Sequence, residues 1–66
     1  MMHEITLSDE ELDEMDRLVT ARLREMLVEI HHTDRRPFRS HLQRQYEVCE
    51  GIARAIQGAR EHAAAT

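Results

Sequence analysis

The chain has no lysine and no tryptophan, and its 66 residues include only one tyrosine, one phenylalanine, one proline, one cysteine and two glycines. Each shortage removes a class of protein. So few aromatics leave no platform on which bases could stack. The same shortage, with so few turn formers, argues against a sheet or a barrel and against a deep ligand pocket. The longest apolar runs are three residues, Met26-Leu27-Val28 and Ala63-Ala64-Ala65, against roughly 20 for a membrane span. The opening Met1-Met2-His3-Glu4-Ile5-Thr6 has neither the basic leader nor the apolar stretch of a secretion signal. With Cys49 as its one thiol, the chain is expected to be a cytoplasmic, disulfide-free single domain over residues 1–66 that makes no use of a membrane.

What is present is charge and helical periodicity. The net charge of −4 conceals a gradient. Residues 1–16 hold seven acids and no base, residues 17–44 hold seven arginines against three acids, and residues 45–66 balance at −1. A dipolar rod follows, acidic at its start and basic in the middle of the sequence. Five histidines make charge-driven association sensitive to the range between about pH 7.5 and 5.5.

Ser8-Asp9-Glu10-Glu11 has the form of a capping box flanked by Leu7 and Leu12 as a hydrophobic staple. The acids that follow lie at the positive end of a helix macrodipole. From there Leu12, Met15, Val19, Leu23, Met26 and Ile30 recur at intervals of 3, 4, 4, 3 and 4, one stripe of an amphipathic helix over about 9–31. A strict heptad would place Arg22 and Glu29 in that stripe, so a uniform coiled coil is not expected. The segment His31-His32-Thr33-Asp34-Arg35-Arg36-Pro37 ends this helix and starts another, with Thr33 or Asp34 as N-cap and Pro37 in the first turn. The second helix is expected over about 35–57, carrying Phe38, Leu42, Gln45, Cys49, Ile52 and Ile56 in a 4-3 seam with Tyr46 and Ala53 beside it. Gly58 is a candidate stop, followed by a frayed tail over 58–66.

Two helices of matched length joined by two to four residues make an antiparallel hairpin, an all-α fold. Such a pair leaves half of each stripe wet. The expected solution is a homodimeric four-helix bundle in which each acidic segment lies beside the partner's arginines, a different protein partner being the alternative. The candidate interface comprises Leu12, Met15, Val19, Leu23, Met26, Ile30, Phe38, Leu42, Gln45, Cys49, Ile52 and Ile56. Gln45 either fixes register across a dimer axis or sits at the rim with Tyr46 turned inward.

The pattern Glu29-Ile30-x-x-Thr33-Asp34-x-x-x-Phe38-Arg39-x-x-Leu42 resembles one found in short, uncharacterised bacterial proteins of two helices, a likeness over about residues 8–57. It implies a fold and no activity. Pro37 stands directly before Phe38, where such sequences place it one position earlier. The dimeric two-helix layout is also similar to plasmid RNA-binding bundle proteins, by architecture alone.

Chemistry is sparse. His31, His32, Asp34 and His41 cluster near the tip, but adjacent histidines diverge by about 100° on a helix and none forms a one-face pair. No metal or cofactor is expected. Cys49 lies in the apolar seam with no histidine at helical i±3 or i±4 spacing, the setting of a core residue and not of a nucleophile. The acid run has no pocket to raise a pKa. An enzyme is therefore not expected. Arg35, Arg36, Arg39 and Arg44 form a basic tip that opposes the dipole of the second helix, a local cost that an anion would relieve. This makes nucleic acid the alternative partner to a protein interface.

Overall fold

The computed structural model describes residues 1–65. Two helices, α1 (Asp9–His32) and α2 (Arg36–Ala65), fold back on one another through Thr33, Asp34 and Arg35. The described residues contain no strand. The pairing is antiparallel: Arg60, late in α2, reaches Asp13 and Asp16 at the start of α1.

α1 begins where its caps dictate. The Ser8 hydroxyl accepts the Glu11 N–H at 3.1 Å, and the Glu11 carboxylate accepts the Ser8 N–H at 2.9 Å, so the capping box is complete. Asp9, Glu10 and Glu11 occupy the first turn and His31 and His32 the last, both in agreement with the macrodipole. At the far end the Thr33 hydroxyl donates to the Glu29 carbonyl at 2.6 Å. Thr33 thus closes α1 instead of opening α2, and no side chain among the described residues accepts an N–H of the first turn of α2. The Arg35 carbonyl takes the first helical bond, from the Arg39 N–H. Pro37 is the second residue of α2, where a missing N–H breaks no helical bond.

α2 is 30 residues long against 24 for α1. It runs through Gly58 to Ala65, so the expected stop at 57 and frayed tail are corrected over residues 58–65. Thr66 and the side chains of residues 63–65, Ala63 of the expected stripe among them, lie outside the described residues. The reason is local: neither glycine has a positive φ, so nothing at Gly58 turns the chain, and the residues after it are strong helix formers. α2 therefore continues beyond the start of α1, alongside the extended arm of residues 1–8.

The core is thin. Met26 is fully buried, and Ile30, Leu42 and Ile56 nearly so. Leu12, Met15, Val19 and Leu23 on α1 and Tyr46, Cys49 and Ala53 on α2 are half-buried. On α2 the packed residues are Leu42, Tyr46, Cys49, Ala53, Ile56 and Arg60, an unbroken 4-3-4-3-4 series. Gln45 and Ile52 are exposed, as is Phe38. Of the two placements expected for Gln45 the second is found, Gln45 at the rim and Tyr46 turned inward, and the same rotation puts Ala53 inside in place of Ile52. Alanine at 53 lets the helices approach closely, and the tyrosine ring buries more apolar area than a glutamine while keeping its hydroxyl end toward water.

Candidate interaction surface

The rotation of α2 gives the hairpin two unlike sides. One is closed by charge. There the Arg60 guanidinium donates to Asp13 at 2.7 Å and to Asp16 at 3.4 Å, bridging the helices over a separation of 47 and 44 residues. Tyr46 and Glu50, nearer the tip on the same flank of α2, are half-buried. Sequence reasoning missed Arg60, although its signal was present: it continues the 42-46-49-53-56 series and lies opposite the acidic start of α1.

The other side is open and apolar. A groove of about 450 Å³ runs between the start of α1 and the end of α2, walled by Leu12 and Met15 on one helix and Ile52, Ala55 and Ala59 on the other, with Ile5 and Leu7 of the arm at its mouth. A second groove of about 320 Å³ lies nearer the tip, lined by Arg22 and Met26 facing His41, Arg44, Gln45 and Val48, with Cys49 at its floor. Val48 is 50% exposed and Ile52 39%, and Leu18, on α1 beyond the groove walls, is 54% exposed. At about 100° per residue Val48, Ile52, Ala55 and Ala59 fall within some 60° of one another, a second apolar stripe next to the packed one.

The candidate interface residues divide accordingly. Met26, Ile30, Leu42 and Ile56 are spent inside the hairpin, with Leu12, Met15, Val19, Leu23 and Cys49 partly so. Phe38, Gln45 and Ile52 face outward. The residues not foreseen as surface are the arm residues Ile5 and Leu7, 70% and 36% exposed.

The electrostatics follow the ends. Glu11 is held below the ordinary 4.5 of a glutamate by the Ser8 backbone N–H it accepts and then by the Ser8 side chain. Glu14 is lowered by its hydrogen bond from Arg17, whose own pKa is raised in return. Arg22 pairs with Glu25 and Glu29 at 3.3 and 3.4 Å, which accounts for both charges that interrupt a strict heptad. Arg44 reaches Glu47 at 3.5 Å. Arg35, Arg36 and Arg39 make no ion pair among the described residues, and the first turn of α2 contains no acid. No three His, Cys, Asp or Glu side chains gather among the described residues, and no helix is long and apolar enough to cross a membrane.

Compared with protein-family models, with curated proteins and with solved structures, the chain matches none. Its surface therefore carries the functional argument. The molecule is elongated, 47 × 25 × 16 Å, with a radius of gyration of 14.3 Å against about 11 Å for a compact domain of this length. It exposes 5853 Å², about 1,500 Å² more than a compact monomer of its mass presents. An elongated pair of helices with an arm at one end presents more surface than a compact domain on every side.

Proposed function

We propose that this chain is a non-enzymatic, self-associating helical module that forms a homodimeric four-helix bundle and acts through protein–protein contact. The observation that carries the reading is the second apolar stripe, left in water by a hairpin whose core contains four buried side chains among the described residues. Stable dimers bury about 800 Å² per partner, an area the exposed excess can supply. A dimer would also enlarge the core, which in so short a chain is otherwise marginal.

Sedimentation equilibrium tests it. A species of twice the chain mass is expected at micromolar concentrations, with helicity and thermal midpoint rising with concentration because folding and association are linked. A helical monomer persisting to about 1 mM, a free energy of association weaker than roughly −4 kcal/mol, would refute the reading.

The unpaired Arg35, Arg36 and Arg39 favour a second reading, an anionic partner such as nucleic acid at the tip. It predicts retention on mixed oligonucleotides at low salt with a log–log salt slope of about −3 to −4 for roughly four neutralised phosphates. Absence of retention removes it.

A further inference from the structure

We infer that the second copy docks on the open side of the hairpin, with α2 against α2 and the two-fold near Gly51, and that the two copies run antiparallel. This rests on the self-association reading and adds to it the face and the direction.

Three observations converge on the face. The two grooves lie on the same side, because Met15 and Arg22 form their α1 walls while Ile52, Ala55 and Val48 form their α2 walls. The opposite side is already bridged by Arg60 to Asp13 and Asp16, and docking there would strip water from three charges. The third observation is the glycines. Gly51 and Gly58 are helical, neither has a positive φ, and a Cβ built at either meets nothing within 4 Å. Neither backbone conformation nor packing inside the chain calls for glycine, although glycine in a helix interior is unfavourable. At about 100° per residue both project to the side of α2 opposite α1, some 40–60° beyond Ala55 and so at the outer edge of the exposed stripe. Small residues there let a second helix approach to backbone distance, and the exposed Val48 and Ile52 would then pack into the grooves of the partner.

Charge sets the direction. The seven acids of residues 1–16 lie at one end of the hairpin and Arg35, Arg36, Arg39 and Arg44 at the other. An antiparallel, two-fold-related copy brings each acidic end to the arginines of its mate, whereas a parallel copy stacks like charge on like. The unpaired arginines of the tip acquire partners only in the first case.

Sedimentation of four proteins decides it, with helicity measured alongside. The natural chain is expected to dimerise. Gly51→Leu and Gly58→Leu have space within the hairpin and should remain helical while dimerising at least tenfold more weakly. Leu27→Asp, on the Asp16 side of α1, should change the dissociation constant less than twofold. If the glycine variants dimerise normally and Leu27→Asp does not, the face assigned here is wrong and self-association stands. If the natural chain is monomeric, the underlying reading fails first. Raising salt from about 0.05 to 1 M, which shortens electrostatic reach from above 10 Å to about 3 Å, should weaken the dimer. Strengthening would overturn the antiparallel arrangement alone.

Discussion

α1 and α2 are made by different means. α1 is specified by its own sequence: a reciprocal cap at Ser8 and Glu11, acids in the first turn, histidines in the last, the Thr33 hydroxyl returning to Glu29, and ion pairs along its flank. α2 has almost none of these. Among the described residues it opens on arginines and a proline without a side-chain cap, contains two glycines, and has one short-range ion pair, Arg44 with Glu47. A helix that lacks local support depends on what it packs against. α2 is also the helix with the larger exposed apolar stripe, so it stands to gain more from a second copy.

The comparison breaks most sharply at the contact the helices share. Met26 is fully buried at the centre of the hairpin, and Met26→Ala should cost about 2–5 kcal/mol, read as a lower urea midpoint. With so small a core, loss of the folded state at room temperature is an equally consistent result. A cost below about 1 kcal/mol would mean that the interhelix contact is not what orders α2.

The local signals of α1 predict a smaller effect. Ser8→Ala should cost about 1 kcal/mol and act on the first turn, seen in hydrogen exchange of the Glu11 and Leu12 amides. It should also alter the acid limb. The Glu11 pKa is lower in the folded chain than its ordinary 4.5, so its stabilisation is present above that value and lost as pH falls through the lower, folded one. Ser8→Ala keeps the backbone N–H that is the larger cause of the shift and removes the hydroxyl, so it should flatten that part of the stability profile only in part. An unchanged acid limb would separate the cap from the shift.

This contrast also explains how much was legible in the sequence. α1 was read to within a residue of each end because capping residues act on their own backbone, and such rules are visible in a string of letters. The hairpin followed from the three-residue break. The packed face of α2 was displaced, because 42-45-49-52-56 and 42-46-49-53-56 both fit helical spacing and only the three-dimensional fit of Tyr46 and Ala53 against α1 selects the second. The end of α2 was misplaced because glycine is a stop only where the chain turns, and Gly58 keeps ordinary helical geometry. That apolar surface stays wet beyond the hairpin contact was legible; on which side it lies was not, because which apolar residues remain exposed is known only once those that are packed have been chosen.

α2 should respond in the opposite direction at its glycines. Gly58→Ala has room for its methyl group and should raise stability by about 0.5–1 kcal/mol at concentrations where the chain is monomeric. If the glycines serve close approach by a second copy, the gain should shrink or reverse as concentration rises. A gain of equal size at every concentration would mean that position 58 touches nothing in the assembled state.

The smallest effect is expected where the structure draws its most conspicuous link. Arg60 joins the two helices through Asp13 and Asp16, yet Asp13 is 68% exposed at its side chain and the Arg60 Nε is buried without a hydrogen-bond partner. Exposed ion pairs are worth about 0–1 kcal/mol, and an unpartnered N–H offsets part of that. What Arg60 contributes beyond charge is the aliphatic stem that extends the packed series after Ile56. Arg60→Met retains the stem and removes both the pair and the orphaned donor, so it should leave stability within about 1 kcal/mol of the natural chain. Arg60→Ala, which removes the stem as well, should cost more than Arg60→Met. Equal losses from the two variants would assign the hold on the last turns of α2 to charge, and would make the acidic start of α1 a partner of its own chain before it could be a partner for another.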